Sequence, residues 1–242
     1  MIIQTHQLCK TYHNIQAVKN LDLSIEEGEL YALLGVNGAG KTTTLKMLSC
    51  LIKPTDGQVE IDGIDLLQDS QKIKQIINIS PQETAIAPLL SVEENLQFIC
   101  EIYGFNQKTA KIKTKEMMEH LQLTPYAKQT AGTLSGGWQR RLSIAMALMS
   151  QPKILFLDEP TLGLDVIARR NLWDFIKQLK GQMTIILTTH YLEEAEALSD
   201  HIGIMNQGQL KIVGTSEELM QKAQTLSFED AFLYFTQQGE TL

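Results

Sequence analysis

Lys41 and Thr42, the pair Asp158-Glu159, and His190 are the residues of this 242-residue chain best suited by type and neighbourhood to act on a phosphate. Lys41-Thr42 closes the stretch Gly35-Val36-Asn37-Gly38-Ala39-Gly40-Lys41-Thr42, which fits G-x-x-x-x-G-K-[ST]. Its glycines let the backbone curl so that successive N–H groups point inward. A helix starting there brings its positive dipole end to the same point. Such a cradle suits a di- or triphosphate, with Lys41 reaching the β- and γ-phosphates and the Thr42 hydroxyl a ligand for Mg²⁺. A glycine-rich turn that binds nothing needs neither the Lys nor the Thr.

The other candidates gain weight from position. Asp158, after four apolar residues, suits a Mg²⁺ partner, direct or through water. Glu159 beside it is placed to take a proton from an attacking water. Capping of the next helix is the competing role for these carboxylates, but Pro160 follows and Asp165 is a separate cap candidate. His190 alone is weak, because a lone histidine is more often a satisfied core residue.

The elements that must position these groups are legible nearby. Leu30 to Leu34 is a short apolar run, as in a buried parallel strand. Thr42 to Leu51 reads as a helix with Leu45, Leu48 and Leu51 on one face. Residues 1–25 alternate polar and apolar, as half-buried antiparallel strands do, and Gln58 to Ile61 is another strand between Asp-Gly pairs. Ile76 to Ile79 reads as a core strand ending at Ser80-Pro81-Gln82. Ser91 and Glu94 form a capping box that opens a run of helices, continued by Lys111 to Leu123 and Gly136 to Met149. The methionines there (Met117, Met118, Met146, Met149) read as packing.

Strands then return at Ile154 to Leu157 and Thr184 to Thr188, separated by a helix from Asp165 to Lys180. Ile202 to Met205 and Gln209 to Val213 flank a hairpin. Alternation of strands and helices gives an α/β fold with a mainly parallel sheet. In such sheets ligands bind beyond the carboxyl ends of the strands. The phosphate loop, Asp158-Glu159, His190 and Gln82 all follow strands, so they converge on one edge.

Composition limits the alternatives. A hydrophobic share of 43% is ordinary for a globular protein, and 21 basic against 28 acidic residues give −7, which argues against coating nucleic acid. The four arginines occur as Arg140-Arg141 and Arg169-Arg170, expected on solvated helix faces. Cys9, Cys50 and Cys100 are odd in number and lack C-x-x-C spacing, so neither disulfides nor a zinc site are expected. No apolar run approaches membrane-spanning length, and the N-terminus lacks the pattern of a signal peptide. A cytoplasmic chain is expected, held at a membrane only by another protein.

Leu134-Ser135-Gly136-Gly137-Trp138-Gln139-Arg140-Arg141, shortly before Leu157-Asp158-Glu159-Pro160-Thr161, resembles the signature of ATP-binding cassette (ABC) transporter ATPase subunits. The resemblance covers nearly the whole chain. It implies a phosphate-loop NTPase core with an N-terminal antiparallel β subdomain (1–82 and 151–215), an inserted α-helical lobe (83–150) and a C-terminal helical extension (216–242). It also implies ATP and Mg²⁺ as ligands. Tyr12 then stacks on adenine, while Gly35, Asn37, Gly38, Ala39, Gly40, Lys41, Thr42 and Thr43 hold the phosphates. Gln82 senses Mg²⁺ and the membrane partner, Thr42, Gln82 and Asp158 serve the metal, and Glu159, His190, Lys41 and Gln82 serve hydrolysis.

The resemblance further implies a head-to-tail dimer, in which Ser135, Gly136, Gly137 and Asp165 reach the nucleotide of the opposite subunit. That second subunit is either another copy or a related chain. Trp138 stands where the family usually has Gln, and could pack across the dimer interface, slow the cycle, or pack within its own lobe. The tail Ser227-Phe228-Glu229-Asp230-Ala231-Phe232-Leu233-Tyr234-Phe235-Thr236 resembles ATPases serving drug, antibiotic, lipid and polysaccharide exporters. An exporter subunit on the cytoplasmic face of the membrane, bound to a separate permease, is the resulting expectation. A soluble cassette acting as a nucleotide-gated scaffold is the alternative. A kinase is more distant, since it needs neither the signature nor His190.

Overall fold

The computed structural model describes residues 1–237. The chain begins with two long antiparallel strands, β1 (Ile3–Tyr12) and β2 (Ile15–Ile25), followed by the short buried strand β3 (Leu30–Leu34). Helix α1 (Lys41–Leu48) follows the glycine-rich loop. It ends before Leu51 because Cys50 turns left-handed, at φ 58°. Next come β4 (Asp56–Ile61), β5 (Ile64–Asp65), helix α2 (Ser70–Ile76) and β6 (Ile77–Ser80).

Helix α2 was not legible as a helix, and Ile76 closes it instead of opening the strand. Only Ile73 of α2 is buried, so no apolar repeat marks it. Asp69, which accepts from the Lys72 amide, starts it.

Three helices then run together: α3 (Val92–Ile102), α4 (Gln107–His120) and α5 (Gly136–Leu148). The capping box expected at α3 is present, with Ser91 and Glu94 each bonding the other's backbone. Helix α4 starts before Lys111 because Asn106 accepts from the Thr109 amide at 3.0 Å. Strand β7 (Ile154–Asp158), helix α6 (Val166–Leu179), strand β8 (Thr184–Thr189) and helix α7 (Leu192–Leu198) complete the alternation. Asp165 caps α6 by accepting from the Ala168 amide. The chain continues through the hairpin β9 (His201–Asn206) and β10 (Gln209–Gly214) to α8 (Ser216–Ala223) and α9 (Phe228–Gln237). Residues 238–242 of the expected C-terminal extension lie outside the described residues.

Two sheets result. One is antiparallel, ordered β2-β1-β4-β5; the other is ordered β10-β9-β3-β8-β7-β6, parallel except for β10. The central strands are buried on both faces, and their alternation divides the core in two. Leu30, Ala32, Leu34, Leu155, Leu157, Ile185 and Leu187 pack on the side of α3, α5 and α6. Tyr31, Leu33, Ile154, Phe156 and Ile186 face α1 and the antiparallel sheet. Strands β3, β7 and β8 are thereby clamped between two apolar layers, and their carboxyl ends are rigid supports for whatever follows them.

The arginine pairs depart from expectation. Arg140 and Arg141 on α5 are buried, at 5% and 8% exposure. Arg140 donates to the carbonyls of Pro81 and Gln82. Arg141 donates to the Leu121 and Asn171 carbonyls, with its guanidinium over the Trp138 and Phe175 rings. Backbone carbonyls and aromatic faces give the delocalised guanidinium enough partners to enter the core. Arg169 is half-buried over the Tyr191 ring, while Arg170 is exposed as expected.

Candidate functional site

The loop between β3 and α1 is shaped by close backbone approach. A Cβ on Gly35 would lie 2.3 Å from the Met205 carbonyl oxygen, and one on Gly40 would lie 2.6 Å from that of Ala17. Gly40 is also left-handed, at φ 103°, a conformation that favours glycine. Gly40 is the N-cap of α1 and supplies no side-chain cap, so the first-turn amides lack an intrahelical acceptor. Their positive end opens into a cleft of about 480 Å³ lined by Tyr12, Asn37 to Thr43, Gln82, Glu159 and His190, with Ala17 and Leu162.

Charges are packed tightly at its floor. Lys41 is 5% exposed; its Nζ donates to the carbonyls of Gly35 at 2.8 Å and Val36 at 3.2 Å, and lies 3.4 Å from Glu159 Oε1. Burial pushes the ammonium pKa down, and the Glu159 carboxylate opposes that shift. Asp158 Oδ1 accepts from the Thr42 hydroxyl at 3.0 Å and from the Thr188 hydroxyl at 2.6 Å. Glu159 is left-handed at φ 49° and bonds His190 Nδ1 through Oε2. Its carboxylate therefore joins a cation on one side to an imidazole on the other. Tyr12 is partly exposed where β1 ends.

The expected edge of strand ends is thus formed: Gly35 follows β3, Gln82 lies beyond β6, Asp158-Glu159 closes β7 and His190 follows β8. Sequence reasoning missed Ala17 and Leu162, whose apolar side chains carry no chemical signal. It also missed Thr188, which lies opposite Asp158 in the parallel register. Oxygen donors from Thr42 and Asp158, with Gln82 on the wall, fit a hard cation such as Mg²⁺, which is completed by substrate phosphates and water. No group of three or more His, Cys, Asp or Glu side chains is gathered for a metal among the described residues.

Ser135, Gly137 and Asp165 do not join this cleft. They line a separate concavity of about 340 Å³ with Trp138 and Arg141, and Gly136 lies against Leu164. Ser135, the N-cap of α5, makes no side-chain cap bond, so this helix too presents a positive end with free amides. Trp138 packs within its own lobe, 4.5 Å from the Tyr126 ring and 4.7 Å from the Arg141 guanidinium carbon.

Residues 18–162 match the sequence model of the family described as ABC transporter. The chain belongs to that family. The cassette is 41% identical to the linearmycin resistance ATP-binding protein of Bacillus subtilis, over 90% of this chain and 70% of that one. It is 36% identical to the daunorubicin resistance ATP-binding protein DrrA3 of Streptomyces coeruleorubidus, over 89% of this chain and 68% of that one. A 41% identity to the human phospholipid-transporting ATPase ABCA3 covers 85% of the cassette but 12% of that much longer protein. Among solved structures, the dimeric post-hydrolysis cassette MJ0796 bound to ADP and Pi superposes with a TM-score of 0.79 at 29% identity, covering 88% and 98% of the two chains. Family membership makes the cassette an ATP-binding ABC ATPase. No helix among its described residues is long and apolar enough to cross a membrane.

One buried carboxyl behind the site has a measurable consequence. Glu194 on α7 is fully buried and accepts from Trp173 Nε1 at 3.0 Å. Burial raises its pKa, and hydrogen bonds to the carboxylate offset only part of that rise. Its raised folded-state pKa contributes stability at low pH that is lost as pH rises through it. Glu194→Gln keeps an acceptor for Trp173 without the buried charge. The variant is expected to gain on the wild type as pH rises above the ordinary carboxylate range, read as a larger stability difference in urea unfolding at pH 8 than at pH 5.

Proposed function

We propose that the cassette is the ATP-hydrolysing subunit of an exporter, working as a dimer on the cytoplasmic face of a membrane and driving a separate membrane-spanning permease. The observation that carries the reading is the meeting of Lys41, Thr42, Glu159 and His190 in one cleft at the first turn of α1, with buried Asp158 accepting from the Thr42 hydroxyl behind it. A catalytic core (1–82 and 151–215), a helical lobe (83–150) and a helical tail form its working parts.

The chemistry follows from the residues. Tyr12 offers a flat aromatic face at the mouth for a base, while the amides from Asn37 to Thr43 and Lys41 bind the phosphates. Glu159 accepts the proton of the attacking water, and His190 fixes the carboxylate. Thr42 and Asp158, with Gln82, would hold Mg²⁺, which supplies charge neutralisation at the phosphates. Lys41 Nζ lies 3.4 Å from Glu159 Oε1, so the proposed base sits directly beside the cation that binds the phosphates.

The Ser135–Gly137 turn supports the dimer reading. It lies away from the cleft of its own chain yet has free helix amides suited to a phosphate, so a second subunit must bring it into use. The dimeric form of the MJ0796 cassette agrees with this. The resistance and phospholipid-transporting relatives support an exporter. The acidic balance speaks against a nucleic-acid partner.

A tagged chain purified from native membranes in mild detergent is expected to bring down a polytopic membrane protein in comparable amount, identified by mass spectrometry. A related cassette alongside would make the dimer heterologous. Recovery of soluble proteins alone, with none of the chain in the membrane fraction, would favour the scaffold alternative.

A further inference from the structure

Asp158 and Glu159 are consecutive, and a regular strand would point their side chains to opposite faces. The chain departs from strand geometry at Glu159, whose φ of 49° is a region that residues other than Gly, Asn and Asp seldom occupy. Thr188, on the adjacent strand β8, is opposite this departure. It pairs with Asp158 in the parallel register and is fully buried.

The Thr188 hydroxyl is committed in both directions. It donates to Asp158 Oδ1 at 2.6 Å and accepts from the Glu159 amide at 3.1 Å, while that amide also reaches the Thr188 carbonyl at 3.1 Å. Asp158 Oδ1 is then fixed between Thr188 and Thr42. The Glu159 backbone is held in the turn that aims its carboxylate at Lys41 and His190. Thr188 does not line the cleft itself, so it acts through its two neighbours.

We infer that Thr188 is a positioning residue for both carboxylates, one hydroxyl setting Asp158 for the metal and Glu159 for the attacking water. The inference rests on the ATPase reading of the cleft. It separates nucleotide affinity at saturating Mg²⁺ from turnover, because the Thr188 hydroxyl bonds only Asp158 and the Glu159 amide and makes no direct bond to the phosphate loop or Lys41.

The test compares wild type, Thr188→Val, which keeps the shape without the hydroxyl, and Thr188→Ser, which keeps the hydroxyl. ATP turnover is measured against ATP, and ATP binding against Mg²⁺ by equilibrium dialysis. Thr188→Val is expected to lose about tenfold or more in kcat, as for a buried hydrogen bond removed at a reacting centre. Its KM for ATP should stay within about twofold, and the Mg²⁺ concentration for half-maximal ATP binding should rise. Thr188→Ser should restore both.

Turnover by Thr188→Val equal to wild type, or equal impairment of the serine variant, overturns the inference. Thr188→Ala carries the same comparison where the valine variant does not fold. An inactive wild type overturns the ATPase reading itself, and the role of Thr188 with it.

Discussion

Glu159→Gln is expected to hydrolyse ATP about 10²–10⁴-fold more slowly than the wild type while still binding it. The glutamine has the size of the glutamate, and the features that fix position 159, its left-handed backbone and the bond from its amide to Thr188, do not depend on the carboxylate. What disappears is the proton acceptor. The ion pair with Lys41 also disappears, which frees a cation for the nucleotide, so retention of ATP should be at least as good. Single-turnover hydrolysis with radiolabelled ATP and equilibrium dialysis measure the two quantities on one preparation. Near-normal hydrolysis would remove Glu159 from the role of base.

Lys41→Ala should fail at the earlier step. Its ammonium is held in a nearly closed setting by two carbonyls of the phosphate loop and by Glu159, and burial already weighs against its charge. Such an arrangement is stable enough to wait for phosphates and poor enough in neutralising charge to accept them. Loss of charge-assisted bonds to a phosphate weakens binding by about 30- to 1,000-fold, from roughly 2–4 kcal/mol. The variant also leaves Glu159 without its cation, so turnover at saturating ATP should fall too. An ATP dissociation constant within about threefold of wild type would show that the loop amides carry the phosphates without Lys41.

The parts of this site that were legible in the sequence are those whose signal is local. The spacing of Gly35, Gly40, Lys41 and Thr42 states its geometry directly. The runs Leu30–Leu34 and Ile154–Leu157 mark strands buried on both faces, which locate the residues following them. The helix caps at Ser91 and Asp165 were equally local, and both formed.

What escaped depends on contacts between distant segments. Thr188 meets Asp158 across neighbouring strands 30 residues apart in sequence. Arg140 and Arg141 look like a solvated pair until α5 is placed in the core, where the carbonyls of Pro81, Gln82, Leu121 and Asn171 accept from them. The Arg140 bonds also tie the helix that begins at Ser135 to the segment carrying Gln82. The position of Trp138 was open among three alternatives, and stacking on Tyr126 and Arg141 places it within its own lobe. Helix α2 buries a single isoleucine, too little for periodicity to reveal.

The most direct measurement is a crystal structure of the Glu159→Gln chain with Mg-ATP. The account predicts the β- and γ-phosphates at the first-turn amides of α1 and Lys41, the base beside Tyr12, and Ser135–Gly137 of a second subunit on the γ-phosphate. Triphosphate bound outside the cleft of Tyr12, Lys41 and His190 would contradict it.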